Sequence, residues 1–328
     1  MATFLVTGGC GFIGSHLCAA LRANGHGVRV LDDLSSGSEA NLVPGSTFLL
    51  GDVCQPMALR EALDGVDGCY HLAAIASVQR GEREWLVTHR TNLSATVALF
   101  EAARGRGIPV VYASSAAVYG STGALPLHED SVVRPLSAYG ADKLGCEQHA
   151  RVAGHVHGIP TVGLRFFNVF GPRQDPTSPY SGVISIFCDR LLRTQALNIF
   201  GDGQQTRDFI FVEDVVRALL AAMARADTTA PVFNICTGQG TSVLQLAALV
   251  ADLCGVKAEI IHQPARAGEV RHSIGSPLRA REYLGLGSTV AIRDGLEATL
   301  AWMREGRPGL APSAHSGLSA RAPIRQGR

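Results

Sequence analysis

The chain has 328 residues, 17% of them charged, and a net charge of +1. This length suggests roughly two domains and lets the chain bury a core without disulfide staples. Because neither sign of charge dominates, we predict neither nucleic acid nor a membrane surface as a partner, and no apolar run reaches the roughly 18 residues that span a bilayer.

The cysteines and the N-terminal segment favour a cytoplasmic protein. The eight cysteines form no CxxC pair and lie in apolar or strand-like segments, so we expect free buried thiols in a reducing compartment. Residues 1–7 contain no basic region and no cleavage-like site, so no signal peptide is expected. His155 and His157 lack a nearby acidic or cysteine partner, so we interpret them as a polar helix end and predict no metal site.

The first half of the chain alternates apolar strands with amphipathic helices. Helical periodicity covers residues 12–23 and 91–104. Strands are predicted at residues 3–7, 28–31, 47–50, 68–72, 109–113 and 160–164. This alternation predicts an α/β fold in which a parallel sheet, covered on both faces, spans residues 1–165.

The pattern changes after residue 165, where Gly and Pro interrupt residues 171–176. The elements predicted beyond this point are a helix at 213–224, a strand at 232–235 and helices at 243–254 and 292–304. We predict a smaller mixed α/β lobe over 166–306, with segments near 209–236 returning to the first domain. Residues 307–328 are rich in Pro, Gly, Ser and Ala, with four Arg and no acid, and predict a disordered tail.

A glycine-rich loop, TGGCGFIG at residues 7–14, joins the first strand to the first helix. Glycines there let backbone N–H groups approach a pyrophosphate at the helix N-terminus. Asp32 ends the second strand, where a carboxylate binds the adenosine ribose 2′-hydroxyl and repels a 2′-phosphate. Asp33 adds negative charge, so we predict NAD and not NADP. The alternative is a glycine turn that binds no ligand.

The ends of the next three strands also carry candidate ligand contacts. Asp52 is placed to bond the adenine amine, and the small residues of HLAA at 71–74 let a cofactor pass, although both fit ordinary strand ends. The fifth strand ends in Ser114 and Ser115, at the edge that borders the ligand crevice in such sheets. A serine there can donate to or accept from a substrate oxygen, or it can simply cap a turn.

Tyr139 and Lys143 form the most informative pair. Only two of the 29 Lys and Arg residues are lysine, and one of them lies four residues after a tyrosine. Positions i and i+4 share a helix face, and an ammonium beside a phenol stabilises the phenolate. Tyr139 is therefore a candidate proton shuttle, with a chance surface pairing as the alternative.

In this order and spacing, the glycine loop, Asp32, Ser115 and Tyr139 with Lys143 resemble the extended short-chain dehydrogenase/reductase family. The resemblance covers roughly residues 2–305 and is strongest to nucleotide-sugar 4-epimerases, through segments 164–173, 200–209 and 266–273. It implies a Rossmann-like doubly wound parallel sheet with a smaller substrate-binding lobe, NAD as cofactor and a UDP-sugar as substrate.

The resemblance also implies roles for matching residues. Ser115, Tyr139 and Lys143 would be catalytic, and Lys143 would also bond the nicotinamide ribose. The residues that would contact the cofactor are Gly8, Gly11, Phe12, Ile13, Gly14, Asp32, Asp33, Ser35, Ser36, Gly37, Asp52, Val53, Leu72, Ala73, Ala74, Ala76, Asn92, Ser114, Tyr139, Lys143 and Phe167. The residues that would hold the substrate are Ser115, Asn168, Val183, Asn198, Phe200, Arg207, Arg266, Glu269 and Ser273.

Two alanines narrow the implied reaction. Related dehydratases and decarboxylases need an acid beside the active-site serine or threonine, but here Ala116 and Ala117 follow Ser115. A methyl group cannot act as a general acid or base. The implied reaction is 4-epimerisation, in which Tyr139 takes the sugar 4-hydroxyl proton and hydride passes to NAD⁺ and returns to the opposite face of a 4-keto sugar.

The sugar is inferred from Ser273, whose position walls the sugar pocket in the family. Tyrosine there restricts the site to plain hexoses, so serine implies UDP-GlcNAc and UDP-GalNAc, with UDP-Glc and UDP-Gal also accepted. The neighbouring Gly275 and Ser276 leave the shape of this loop open.

Other interpretations stay open. One is a 4-epimerase restricted to UDP-Glc and UDP-Gal, and another acts on UDP-glucuronate with Arg271 or Arg173 as the carboxylate donor. A non-catalytic NAD-binding sensor or scaffold is a third, although it has no need of a proton shuttle. Helices near 92–106 and 138–156 are candidates, as in the family, for the four-helix contact of a homodimer.

Overall fold

The computed structural model describes residues 1–121, 124–176, 182–266 and 270–306. The predicted tail at 307–328 and the predicted substrate residue Glu269 lie outside the described residues. The strands are β1 (Thr3–Thr7), β2 (Gly27–Asp32), β3 (Thr47–Leu50), β4 (Gly68–His71), β5 (Val110–Ser115), β6 (Thr161–Phe166), β7 (Asn168–Phe170), β8 (Leu197–Phe200), β9 (Thr206–Arg207), β10 (Phe209–Phe211), β11 (Val232–Ile235), β12 (Thr241–Ser242), β13 (Ile260–Gln263) and β14 (His272–Ser273).

The α-helices are α1 (Phe12–Ala23), α2 (Pro56–Ala62), α3 (Val78–Arg83), α4 (Trp85–His89), α5 (Ala95–Ala103), α6 (Ala138–His157), α7 (Val183–Leu192), α8 (Val212–Met223), α9 (Val243–Cys254), α10 (Leu278–Leu284) and α11 (Ile292–Glu305). Short 3₁₀ turns lie at Glu39–Asn41 and Ala116–Val118, and a π-helical turn lies at Arg90–Ser94.

Seven strands form one parallel sheet in the order β3-β2-β1-β4-β5-β6-β11. The predicted doubly wound α/β fold is confirmed, with the order reversing between β1 and β4. The carboxyl ends of the strands at such a reversal form the ligand crevice. β5 and β6 end two residues later than predicted, because their register continues to the pair formed by Ser115 and Phe166.

Two hydrophobic cores cover the faces of this sheet. Leu17 of α1 and Val215 of α8 are buried on one face. Leu59 of α2, Leu99 of α5 and Ala150 of α6 are buried on the other. A parallel sheet covered on both faces needs strands that are apolar throughout, and β4 and β6 are buried at every position.

The helix predicted at 91–104 is divided in the structure. The π-helical turn at Arg90–Ser94 precedes α5, which begins at Ala95. Within this turn the Asn92 side chain accepts from Ile75 N at 2.8 Å and donates to Ile75 O at 3.2 Å. Apolar periodicity gives no sign of such a turn, because it is stabilised by a loop 17 residues earlier in the chain.

Three small sheets lie within residues 166–306, the predicted second lobe. β10 pairs with β7, β13 pairs with β8, and β9 lies between β12 and β14. A third core packs around them and includes Phe187, Leu246 and Leu300. In the parallel pair of β9 and β14, Arg207 lies opposite Ser273. The predicted diphosphate ligand and the predicted sugar-pocket wall are therefore neighbours.

The eight cysteines are all free thiols, and six are buried as predicted. The expectation of burial is wrong for Cys54 and Cys254, which are partly exposed. Cys54 lies in the turn after β3 and Cys254 is the last residue of α9, so both sit at the periphery of a core. No helix among the described residues is long and apolar enough to cross a membrane.

A buried ion pair joins β5, β6 and α6. Arg165 donates from Nε to Glu147 Oε1 at 2.9 Å and from Nη2 to Glu147 Oε2 at 2.7 Å. Ser114 Oγ donates to the same carboxylate at 2.5 Å. Both charged residues are almost fully buried, so the two-pronged geometry is needed to offset their desolvation.

The remaining donor of Arg165 extends this network to β11. Arg165 Nη1 donates to Tyr119 Oη at 2.8 Å and to Glu129 O at 3.0 Å. Tyr119 Oη donates to Asn234 Oδ1 at 2.7 Å, and Asn234 Nδ2 donates to Leu127 O at 2.9 Å. The segment around Leu127, which lies beside the Ser273 loop, is thereby tied to the central sheet.

Breaking this pair should destabilise the protein strongly. Glu147→Gln leaves the buried Arg165 charge uncompensated, and we expect a loss of about 3–5 kcal/mol in the free energy of unfolding. The control Arg293→Gln removes an exposed ion pair in which the Arg293 side chain is 50% exposed and the Asp252 side chain 64%. It should lower the free energy of unfolding by about 1 kcal/mol or less. Urea unfolding measures the free energy of unfolding of both variants. Equal losses in the two variants would contradict the stabilising role of the buried pair.

Candidate active site

The glycine loop forms a cradle at the N-terminus of α1. Gly8 has a φ of +71°, and a Cβ there would lie 2.8 Å from Ala73 N. A Cβ on Gly14 would lie 2.1 Å from Gly8 O. The backbone can therefore close tightly only with glycine at these positions, which leaves the helix N-terminus open to a pyrophosphate. Phe12 and Ile13 begin the helix and are partly exposed there.

Asp32 connects this loop to the end of β2. Its Oδ2 accepts from Cys10 N at 2.9 Å and its Oδ1 accepts from Leu34 N at 2.9 Å. The carboxylate is 6% exposed, and each oxygen retains acceptor capacity for a further donor such as a ribose hydroxyl. The loop and the carboxylate thus fit an adenosine diphosphate of the kind that NAD contains.

The other predicted cofactor residues surround this cradle. Segment 33–38 packs on the loop, since Ser38 N donates to Cys10 O at 3.1 Å and a Cβ on Gly37 would lie 2.9 Å from the Cys10 carbonyl carbon. Asp33 is engaged by Ser35 through its Oδ1. The residues at the ends of the following strands are Asp52 and Val53 after β3 and Leu72, Ala73, Ala74 and Ala76 after β4.

The catalytic candidates meet where α6 packs on the end of β5. Lys143 Nζ donates to Ala113 O at 2.9 Å and lies 5.9 Å from the centre of the Tyr139 ring. A Cβ on Gly140 would lie 2.6 Å from Ala117 O, so the first turn of α6 lies directly against the turn that follows Ser115. The structure thus brings Tyr139 and Lys143 together beside the end of β5, and the ammonium keeps two N–H groups for other partners.

The two serines of β5 differ in their surroundings. Ser115 Oγ accepts from Ala117 N at 3.1 Å, so it does cap a turn, but this bond leaves the hydroxyl hydrogen available for donation. Ser114 is 1% exposed and its hydroxyl is bonded to Glu147. Any contact of Ser114 with a cofactor would therefore have to use its main chain.

A buried histidine lies behind Lys143. Thr96 Oγ1 donates to Asn92 O at 2.6 Å, so it accepts from His71 Nε2 at 3.0 Å. His71 Nδ1 then accepts from Thr7 Oγ1 at 2.8 Å. These bonds assign one neutral tautomer. Burial, together with the charge of Lys143, lowers the pKa of His71 from its ordinary value of 6.5 to about 3.

The predicted substrate residues lie on the second lobe. Asn168 opens β7 and Val183 opens α7, while Phe167 is buried just before β7. Arg207 Nη1 donates to Thr206 O at 2.9 Å. Asn198 and Phe200 are two residues apart on β8 and so face the same side.

Arg266 covers the aromatic ring that is predicted to flank the base. Its guanidinium carbon lies 3.9 Å from the centre of the Phe200 ring, a cation–π arrangement. A base that stacks on this face of Phe200 would require Arg266 to turn away. The neighbouring Asn198 Oδ1 accepts from Gln263 Nε2 at 3.3 Å.

The sequence did not single out three buried residues that lie behind the candidate site residues. Glu147, His71 and Asp208 are all buried. A signal was present for Glu147, which lies four residues after Lys143 on the same helix face. The partners of His71 and Asp208 are remote in sequence, so no local pattern marks them.

Comparison with known proteins agrees with this geometry. The sequence model of the NAD dependent epimerase/dehydratase family matches residues 4–236. The UDP-glucose 4-epimerase of Mycolicibacterium smegmatis is 38% identical over 308 residues, covering 92% of this chain and 98% of the relative. The fold is also similar to two solved structures, each covering 93% of this chain and 99% of the other.

The first of these structures is the UDP-glucose 4-epimerase of Thermotoga maritima with UDP-glucose, at 37% identity and a TM-score of 0.89. The second is the UDP-N-acetylglucosamine 4-epimerase of Methanobrevibacter ruminantium with UDP-N-acetylmuramic acid, at 32% identity and a TM-score of 0.88. The likeness extends over both lobes.

The depressed pKa of His71 predicts acid sensitivity. The folded state binds its proton less readily than the unfolded state, so the stabilising contribution of neutral His71 is complete above about pH 6.5 and falls as the pH drops toward 3. Relative to the non-titrating variant His71→Gln, wild type should lose about 1.5 kcal/mol of unfolding free energy between pH 6.5 and 5. Urea unfolding at both pH values measures this loss, and the exposed His157→Gln variant serves as the control. If the difference in unfolding free energy between wild type and His71→Gln is the same at both pH values, the prediction is wrong.

Proposed function

Because this chain belongs to the NAD dependent epimerase/dehydratase family, we propose that it interconverts the C4 epimers of UDP-sugars. The substrates are UDP-GlcNAc and UDP-GalNAc, with UDP-Glc and UDP-Gal also accepted. The observation that carries the proposal is the packing of α6 on the end of β5, which groups Ser115, Tyr139 and Lys143 at the ligand crevice.

The glycine cradle and Asp32 fit NAD, which when bound accepts a hydride from C4 of the sugar and returns it. Tyr139 takes the proton of the 4-hydroxyl as its phenolate and later gives it back. Lys143 stabilises that phenolate by its charge, and its bond to Ala113 O fixes the ammonium. Ser115 orients the reacting oxygen through the hydroxyl hydrogen that its turn does not use.

Inversion requires the sugar to present its other face while the nucleotide remains bound. Arg207 and Arg266 are forked, charged donors suited to a diphosphate. Asn198 and Phe200 would flank the base, and Val183 is a further proposed substrate contact. Asn168 would help to hold the diphosphate and ribose. Glu269 belongs to the same proposed set. Both arginines are on the second lobe, whereas the proton-transferring residues are on the first, so the sugar can turn between two fixed anchors.

The turn after Ser115 supports epimerisation over dehydration or decarboxylation. Ala116 and Ala117 lie between Ser115 and the first turn of α6, where an acid would be needed to protonate or deprotonate a second sugar position. Ser115 and Tyr139 serve a single oxygen, and a reversible oxidation at C4 needs no other titrating group.

The choice of sugar rests on Ser273. Its small side chain lies opposite Arg207 in the register of β9 and β14, where a tyrosine would fill space that an acetamido group needs. The uronate alternative is weakened at Arg271, because both of its terminal nitrogens donate to Asp202 at 2.7 Å. UDP-glucuronate therefore has one fewer candidate donor for its carboxylate.

We also propose that the protein is a cytoplasmic homodimer. Val152 and Val156 lie one turn apart on the outer face of α6 and are 51% and 62% exposed, an apolar stripe that a second copy of α5 and α6 would cover. The eight free thiols suit a reducing compartment.

Light scattering tests the dimer. The mass in solution should be twice the 34.5 kDa of one chain, and Val156→Glu should shift it toward a single chain because a buried charge opposes association. A wild-type mass of 34.5 kDa would refute the dimer.

Anomeric proton NMR tests the function. Purified protein with no added cofactor should convert both UDP-GlcNAc and UDP-Glc to their C4 epimers, since a cycle with no net redox change retains NAD. Ser273→Tyr should lower the rate on UDP-GlcNAc by about tenfold or more while sparing UDP-Glc, and Tyr139→Phe should lower both by about 10²–10⁴-fold.

Conversion of UDP-Glc alone by wild type would refute the pocket argument and leave the mechanism intact. No conversion of either sugar, even with NAD⁺ supplied, would refute the epimerase assignment. UDP-glucuronate assayed in parallel would then decide whether the uronate alternative holds.

A further inference from the structure

Resting on the proposed function, we propose that Asp208 is a positioning residue that holds the UDP-sugar pocket in its binding shape. Asp208 follows Arg207 directly and is 0% exposed. It touches neither the proposed reacting atoms nor the cofactor cradle. Its effect should therefore appear in substrate affinity and not in the chemical step.

The Asp208 carboxylate collects donors from two different loops. Its Oδ1 accepts from Thr237 N at 2.8 Å and from Thr237 Oγ1 at 2.7 Å. Its Oδ2 accepts from Gly238 N at 2.9 Å and from Gly275 N at 3.4 Å. An ionised carboxylate has only acceptor sites and about four of them, so this environment is matched to the charged form even though burial raises its pKa.

The main chain of Asp208 reaches two proposed substrate residues. Asp208 N donates to Ser273 O at 2.9 Å, and Asn168 N donates to Asp208 O at 3.0 Å. With Arg207 as its covalent neighbour, Asp208 is bonded to the sugar-pocket wall, to a nucleotide contact and to a diphosphate contact. One buried residue thus sets the relative positions of three parts of the pocket.

The loop after Ser273 cannot readily compensate for a change at Asp208. A Cβ on Gly275 would lie 2.5 Å from the Phe167 ring and 2.7 Å from Cys236 Sγ, so this backbone is packed without spare room. On its other side, Leu127 N donates to Ile274 O and Ser276 N donates to Leu127 O, both at 2.8 Å. The sequence left this loop open, and the structure fixes it between Asp208 and Leu127.

Asp208→Asn is the informative substitution because it conserves shape. In the amide, an NH₂ group replaces one acceptor oxygen. This NH₂ donor would then face other donors, either those of Thr237 or the two glycine N–H groups. Unsatisfied buried donors cost about 1–3 kcal/mol, and the pocket loops can relieve this only by moving.

Asp214→Asn is the matched control. Asp214 is likewise a buried aspartate, 4% exposed, and its Oδ2 accepts from Val290 N at 3.0 Å. It lies on α8, where its carboxylate also pairs with Arg217, and it is bonded to Val290 and not to the substrate loops. Both substitutions should lower the melting temperature, but only Asp208→Asn should weaken UDP binding by about tenfold or more, measured by calorimetry.

Steady-state kinetics supplies a second readout. Asp208→Asn should raise KM for the UDP-sugar about tenfold and change kcat by less than about threefold, whereas Asp214→Asn should leave both within about twofold. Thr237→Val removes a single bond to Asp208 and should raise KM by about threefold, which keeps the inference testable if Asp208→Asn does not fold.

The outcomes separate the two proposals. If wild-type protein binds UDP, and Asp208→Asn and Thr237→Val bind it equally well, the proposed role of Asp208 is wrong. The proposed function is then unaffected. Wild-type protein that binds UDP and epimerises no sugar overturns the proposed function, while the calorimetric comparison still decides the role of Asp208. Wild-type protein that does not bind UDP overturns both.

Discussion

A buried arginine at the end of β6 constrains the rest of the site. Arg165 cannot remain buried unless its donors are paired, and its partners are Glu147 on α6 and Tyr119 and Glu129 in the segment between β5 and α6. Glu147 can reach Arg165 only when α6 lies against the end of β5, and that same docking places Lys143 on Ala113 O. The placement of the proposed proton-transferring residues is therefore a consequence of satisfying one internal charge.

The two lobes have different proposed roles. The first lobe supplies the glycine cradle and, in the first turn of α6, Tyr139, where small displacements would disrupt the proposed proton transfer. The second supplies the proposed substrate contacts on short strands and loops, so its shape depends on individual hydrogen bonds such as those of Asp208. If Ser273 has the proposed role, sugar preference can change in the second lobe without disturbing the chemistry of the first.

Much of this arrangement could be predicted because its signals are local. The glycine loop, Asp32 at a strand end and the spacing of Tyr139 and Lys143 each lie within one element or its adjoining turn, and the confirmed sheet follows from strand periodicity. The π-helical turn at Arg90–Ser94, the tautomer of His71 and the role of Asp208 depend on partners 17 to 67 residues away. Such contacts become visible only once the chain is folded, and the roles assigned to individual site residues remain predictions.

The most direct test of the account follows a deuterium atom placed at C4 of UDP-GlcNAc. If hydride leaves C4 and returns within the same closed site, UDP-GalNAc formed in ordinary water should carry the full label at C4, as mass spectrometry and proton NMR would show. Replacement of the label by solvent hydrogen would mean that C4 is deprotonated and not oxidised, and it would contradict the mechanism assigned to Tyr139, Lys143 and Ser115.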